Sequence, residues 1–449
     1  MTVGFPPPGR PLRALWTLPY VPWPATTGGK QRQIGLLRQM ARRGHAITLL
    51  CLAKDMPEQR ACAELAAEVN RLIVLPWRRR TDPRTLARAA FSLNRPAIAA
   101  INGCNTAFEA AFDELLTQHF DIVQVEQSYA FEPLSRPLEQ RRIPFVLTEH
   151  NVESDVIMAQ YRRLPWALRG LGALDEWRCR AWERAVIRRA ACVVAVAPGD
   201  EPRFAAMGAR ETALVVNAID TAAFAKVAPN PASATALFLG NYEYSPNTDA
   251  VEWLCGEIMP IAWRSEPGLR LAVWGHALPG AWRARWPDPR ITFGGYAESL
   301  PALHATAAMF VAPLRFGGGS KLKVMEAMAS SLPVVATPEA VSGLALAEGE
   351  GYVGGGDARA IAAGMVRCLR EPHWAAGLGR WARAYVQRRH DWAIAAAELE
   401  RVWQRVLARA MPTGGLADLL GARRCLAPRQ ARRAPDPMIL GASRRTAPR

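Results

Sequence analysis

Residues 316–337, FGGGSKLKVMEAMASSLPVVAT, gather backbone and side chains suited to holding a polyanion. Gly317, Gly318 and Gly319 precede a stretch in which Leu322, Met325 and Ala329 recur at helical spacing, and Pro333 interrupts it before the β-branched pair Val334 and Val335. The order is loop, helix, buried strand. A glycine loop feeding a helix N-terminus leaves backbone N–H groups without intrahelical partners, aimed at one spot where the helix dipole favours negative charge. Phosphate suits such a place. Lys321 and Lys323 add charge in the first turn of a chain whose other basic residues are nearly all arginine. Glu326, about one turn further in, can accept hydrogen bonds from ribose hydroxyls if a nucleotide lies across the loop. The same residues also fit a surface turn carrying a Lys323–Glu326 pair worth roughly 0.2–0.5 kcal/mol.

Two further groups invite chemistry. Leu12 to Leu18 reads as a strand, followed by a proline-rich turn and TTGGKQRQIGLLRQMARRGH, in which Thr26 or Thr27 can cap a helix that Gly44 ends. That βαβ pattern sends Gly28 and Gly29 to the carboxyl end of a strand, where open α/β sheets bind ligands, although a plain tight turn would use the same residues. Lys30 and Arg32 are extra phosphate contacts or a solvated helix face. Strand Phe145 to Thr148 runs into TEHNVES, which puts Glu149, His150 and Asn151 at another carboxyl end. A histidine there is structural or functional, and sequence alone leaves both open.

Elements that position these groups alternate along the chain. Strands at Arg71 to Leu75, Asp121 to Val125 and Cys192 to Pro198, and later at Leu271 to Gly275 and Ile291 to Gly295, are separated by helical periodicity, which predicts parallel, doubly wound sheets. At 449 residues two domains are expected, with a cleft between them. Pro229 and Pro231 mark a linker over 222–235. Residues 375–407 read as two helices broken near His390 to Trp392, and 411–449 as a basic, disordered tail.

Charge narrows the partners. The formal net charge is +16, of which the tail carries +6. A basic protein attracts polyanions, but no aromatic-rich RNA motif, zinc spacing or helix-turn-helix signal supports nucleic acid. Eight scattered cysteines without a CxxC pair read as packing thiols in a reducing compartment. MTVGFPPPGR has prolines where a signal peptide has an apolar run, and no apolar stretch is long enough to span a bilayer. The expected location is cytoplasmic or at the cytoplasmic membrane face. Residues 157–191, rich in tryptophan, arginine and leucine, fit either an anionic membrane surface or ordinary helices with arginine outward.

The segment Ile291 to Thr337 resembles the C-terminal half of retaining glycosyltransferases of family 4, the group 1 glycosyltransferases, and the likeness extends over most of residues 12–408. It implies the GT-B fold: two doubly wound Rossmann-like α/β domains facing a cleft, 1–221 on the acceptor side and 236–385 holding a nucleotide sugar, with 386–410 a terminal helix crossing back to the first. The implied activity moves a sugar from a nucleotide diphosphate donor to a sugar or lipid-linked acceptor with retention, in cell-envelope or exopolysaccharide synthesis. By resemblance Glu326 holds the donor ribose, His150 reaches the donor sugar, and Gly28 and Gly29 let backbone approach a substrate. Gly318, Gly319, Ser320, Lys321, Leu322 and Lys323 form the diphosphate cradle, with Lys321 counted with His150 and Glu326 as catalytic. Asn217, Asp220, Phe224, Gly240, Pro246 and Asn247 also match. The family commonly shows two glutamates with seven residues between them, and Gly318 stands where the first falls; an arginine and lysine pair after the strand ending near Gly240 is absent too. No DxD-like carboxylate pair lies at the loop, so neither metal nor bound cofactor is expected. The alternatives are a non-catalytic member binding nucleotide sugar or a partner, a nucleotide-sugar epimerase of the same fold, and a polyanion-binding protein led by the basic surface.

Overall fold

The structure, a computed structural model, describes residues 9–54, 62–77, 83, 87, 92, 95–102, 105–161, 169–317, 322–410 and 438–441. The described residues divide into two compact units, one of 9–216 with 396–441 and one of 217–395.

In the first unit, seven parallel strands lie in the order β3-β2-β1-β4-β5-β6-β7: β1 (Arg13–Leu18), β2 (Ala46–Ala53), β3 (Arg71–Pro76), β4 (Ile122–Glu126), β5 (Phe145–Glu149), β6 (Cys192–Ala195) and β7 (Thr212–Leu214). Runs such as AITLLCLA are apolar on both faces and buried throughout β2 after its first residue, as a sheet covered by helices on both sides requires. The Gly28–Arg42 helix starts where Thr27 accepts the Lys30 amide through its side chain, and the chain turns away at Gly44, φ +92°. Within the tail expected to be disordered, Met438–Gly441 forms an edge strand antiparallel to β3. Four apolar residues in an Arg- and Pro-rich tract are too short a signal to mark a strand by themselves.

The second unit repeats the topology. Its six parallel strands, β8 (Thr235–Asn241), β9 (Arg270–His276), β10 (Ile291–Phe293), β11 (Met309–Ala312), β12 (Val334–Ala336) and β13 (Val353–Gly354), lie in the order β10-β9-β8-β11-β12-β13. In both sheets the winding reverses beside the first strand, between β1 and β4 and between β8 and β11. The crevice outside the strands' carboxyl ends at such a reversal is where doubly wound sheets take ligands.

The units part at Val216 and Asn217, ahead of the expected linker, because residues 217–221 are tied to the second unit. Ile219 pairs with Asp391 as an isolated bridge, and Thr221 Oγ1 donates to the Asp391 carboxylate at 2.6 Å. Asp391 also accepts the Ala393 amide at 2.8 Å, so the break expected near His390 to Trp392 is a capped junction between helices Pro372–Arg389 and Trp392–Ala410. Cys51, Cys62, Cys179, Cys192, Cys255 and Cys368 are buried. No helix among the described residues is long and apolar enough to cross a membrane.

Candidate functional site

In the second unit, the carboxyl ends of β8 and β11 carry the residues singled out by spacing. Close backbone approach builds this edge. Gly275 sits at φ +144°, and a Cβ there would lie 1.7 Å from the Gly240 carbonyl oxygen, so only glycine lets β8 and β9 end side by side. Asn247, in the first turn of helix Ser245–Trp253, donates through Nδ2 to the Asn241 carbonyl at 2.8 Å and accepts from Lys323 Nζ at 2.5 Å. Lys323 donates again to the Leu239 carbonyl at 2.9 Å, with its ammonium 4.4 Å from the centre of the Phe238 ring. The charge expected at a phosphate thus also fastens the Leu322–Ala329 helix to the end of β8.

Leu322 packs against the core of this unit. Glu326 follows Lys323 on the same helix, half-buried; burial pushes its carboxyl up to about 7, with Lys323 opposing the shift. Gly317 holds φ +131°, and a Cβ on it would come within 2.9 Å of the Tyr244 hydroxyl. Gly318, Gly319, Ser320 and Lys321 lie outside the described residues. Tyr244, Tyr296 and Phe316 follow β8, β10 and β11 and expose large aromatic surface, 76 % for Tyr296. The sequence marked none of these three, because a lone aromatic in a loop has no periodicity to distinguish it from a packing residue.

In the first unit, the ends of β1, β4 and β5 meet the start of helix Gly28–Arg42. A Cβ on Gly29 would lie 3.5 Å from the Tyr20 hydroxyl and 3.6 Å from His150 Nδ1, so the glycine and the histidine proposed from separate motifs are neighbours. His150 Nε2 is 3.1 Å from the Glu126 carboxylate, which also accepts from Gln33 Nε2 at 2.7 Å and Gln124 Nε2 at 3.1 Å. Arg32 is buried rather than a solvated helix residue; desolvation draws its guanidinium down to about 10, with Glu126 and Tyr20 opposing. Glu126 and Gln33 were not readable as site residues, since only the fold brings β4 against the helix.

Behind this lies an acidic cluster. Glu183 accepts from the Glu153 amide at 2.7 Å, the Ser154 amide at 3.3 Å and Ser154 Oγ at 2.6 Å, which makes it the cap of helix Glu153–Tyr161. Glu149 accepts the Ser128 amide at 2.9 Å with one carboxyl oxygen, while the other is buried without a partner. Burial drives the Glu149 carboxyl well up, aided by Glu153 and Glu183, and raises Glu153 to about 8. Burial raises the Glu183 carboxyl too, with the Ser154 hydroxyl and the Glu153 and Ser154 amides opposing, and the unpartnered oxygen of Glu149 suits a retained proton.

Comparison with known proteins places both units. The family model described as "Glycosyl transferase 4-like domain" matches residues 27–219, and that described as "Glycosyl transferases group 1" matches 233–371. A search of curated proteins finds no match. Among solved structures, sucrose-phosphate synthase from Thermosynechococcus elongatus superposes with a TM-score of 0.63 at 20% identity, over 89% of this chain and 100% of that one. HepE of Anabaena, crystallised with UDP and glucose, gives 0.57 at 15% identity, over 88% of this chain and 100% of that one. A glycosyltransferase from Rickettsia africae gives 0.58 at 13% identity, over 89% and 99%. At these identities the likeness is one of fold.

Proposed function

Because this chain belongs to the group 1 glycosyltransferases and has their GT-B fold, we propose that it transfers a hexose from a nucleotide diphosphate sugar, with retention of configuration, to a sugar or lipid-linked acceptor in envelope or exopolysaccharide synthesis. The observation that carries the reading is the Leu322–Ala329 helix, which is anchored by Lys323 at the switch point of the second sheet and presents Glu326 one turn behind the glycine loop. The leaving group is a nucleoside diphosphate, so catalysis needs donors already arranged around developing negative charge. Gly318, Gly319, Ser320 and Lys321 supply that cradle, Lys323 adds charge from behind, Glu326 accepts from ribose hydroxyls, and His150, beside Gly28 and Gly29, serves the reacting sugar. The glycine at position 318, where the family commonly has a glutamate, motivates the non-catalytic alternative tested below. Neither a metal nor a bound cofactor has a part in the scheme.

A thermal-shift screen against nucleoside diphosphates and their sugar conjugates tests the reading, UDP-glucose first because HepE was crystallised with UDP and glucose. One selective donor that raises Tm in the wild type and not in Glu326→Ala, followed by transfer to an acceptor, supports it. Binding without turnover would favour the non-catalytic alternative, and donor conversion without acceptor the epimerase.

An anionic membrane face at the cytoplasmic side belongs to the same proposal. Helix Arg169–Arg189 turns Leu174, Trp177, Arg180, Arg184 and Arg188 to one side, with Leu174 46 % and Trp177 59 % exposed, a combination that suits a bilayer surface bearing acidic lipids. Flotation with vesicles of phosphatidylglycerol and phosphatidylcholine, lost on Leu174→Ser with Trp177→Ser and absent with phosphatidylcholine alone, is the expected result. Equal recovery of variant and wild type would remove the membrane from the scheme.

A further inference from the structure

The environment of His150 is more specific than its position at a strand end requires. Its Nε2 lies 3.1 Å from Glu126 Oε2, and that oxygen also accepts from Gln33 Nε2 at 2.7 Å. The other carboxylate oxygen accepts from Gln124 Nε2 at 3.1 Å. Glu126 is 1 % exposed, so these donors replace water around it. A carboxylate is acceptor-only and satisfies all three; a protonated acid would turn its hydrogen toward one of them.

Gln124 is itself fixed. Its Nε2 donates also to Thr148 Oγ1 at 2.7 Å, and its Oε1 accepts from the Trp403 indole N–H at 2.9 Å. Trp403 is fully buried on helix Trp392–Ala410, edge-on to Trp16 with ring centres 5.8 Å apart. The indole can only donate, so it forces Oε1 of Gln124 toward itself and the amide nitrogen toward Glu126. Gln33, with its nitrogen on the carboxylate, likewise cannot turn its oxygen there without repulsion. The 3.2 Å approach of Gln33 Nε2 to His150 Nε2 is then two donors sharing one acceptor oxygen.

We propose that Glu126 is the positioning residue of His150: it holds the neutral ring with the proton on Nε2, and Trp403 acting through Gln124 holds Glu126, so that Nδ1 faces Gly29 as a lone-pair acceptor. The proposal rests on the reading of His150 as a substrate-facing group. It defines the ligand atom that His150 addresses: Nδ1 in this state takes a hydrogen bond from a hydroxyl and cannot donate to a phosphate oxygen. A carboxylate behind a histidine fixes tautomer and ring orientation in the same way at metal and catalytic sites. The partner of His150 is therefore a hydroxyl of the transferred sugar or of the acceptor.

The test uses the full-length protein labelled with 15N-histidine. In the wild type the neutral His150 ring should give the Nε2–H pattern. In Glu126→Gln, the new amide must turn its N–H₂ toward a donor on one side or the other, and the pattern should move to mixed tautomers, with kcat for transfer down tenfold or more and KM changed less. Trp403→Phe keeps a buried ring and loses only the indole N–H, so it should shift the His150 signals in the same direction by less. It also serves as the readout if Glu126→Gln fails to fold. Adding Glu126→Gln to His150→Ala should cost nothing beyond His150→Ala alone. An unchanged His150 pattern in Glu126→Gln, or in Trp403→Phe if only that variant folds, overturns the proposal. Full transfer activity in His150→Ala would instead overturn the substrate-facing reading, and the tautomer measurement tells the two failures apart.

Discussion

Glu326 shows how burial sets both stability and binding at one residue. Its carboxyl is raised from the usual carboxylate range to about 7 by desolvation, with Lys323 as the opposing charge. A raised value means that the folded state binds a proton the unfolded state has released, so the contribution to stability is full below about pH 4.5 and is lost as pH rises through 7. Glu326→Gln should therefore flatten the decline in melting temperature between pH 4.5 and 7, as read by thermal melts across that range. The carboxylate offers both oxygens to the ribose hydroxyls and accepts more strongly than the protonated acid, so donor affinity should rise with pH through 7 in the wild type, and titration calorimetry should find that trend lost in the variant. Glu153, raised to about 8 by burial and then by Glu183, obeys the same sign over a wider window. Glu153→Gln should remove a loss of stability that the wild type suffers between pH 4.5 and 8. The helix spacing of Lys323 and Glu326 was legible in the sequence, but that Lys323 turns back to Leu239 and Asn247 was not, because the acceptors lie on elements distant in the chain.

At the scale of elements, each unit places its candidate residues with a strand, a turn and a helix start, and the turns hold the specificity of the arrangement. Gly275 at φ +144° leaves no room for a side chain against Gly240. Gly275→Ala combines a strained φ, about 1–3 kcal/mol, with a backbone clash, so a loss of at least about 3 kcal/mol is expected in urea denaturation, together with loss of donor binding. Strand identities were readable from runs of buried apolar residues, and the observed bounds differ from the expected ones mostly at the ends: β9 extends over Arg270–His276, past the LAVWG run, because backbone pairing with β8 continues where hydrophobicity stops. The left-handed turn at Gln127, φ +67°, which aims the Ser128 amide at Glu149, carries no glycine to announce it.

Across the whole molecule, the chain returns to its first unit at the end. Leu399, Val402, Trp403 and Val406 of helix Trp392–Ala410 are buried, and Glu400 accepts from the Gly9 amide at 2.8 Å and from Arg43 Nε at 2.9 Å. Trp403→Ala should cost about 3–5 kcal/mol, a large part of a typical total of about 5–15 kcal/mol; a chain ended at Ala395 should fail to fold its first unit, whereas one ended at Ala410 should keep it, as compared by circular dichroism and limited proteolysis. The sequence by itself determined the α/β class and the two-part division, because periodicity and apolar runs are local properties that a linear chain displays, whereas Gly28 and Gly29, expected in a loop, are the first residues of the Gly28–Arg42 helix. Tertiary structure alone decided which acids are buried and shifted toward the protonated form, that Arg32 is enclosed rather than solvated, and that Trp403, Gln124, Glu126 and His150 form one line of hydrogen bonds. Those outcomes depend on desolvation and on partners brought from up to 279 positions away, and nothing within a turn of helix or a single strand encodes them.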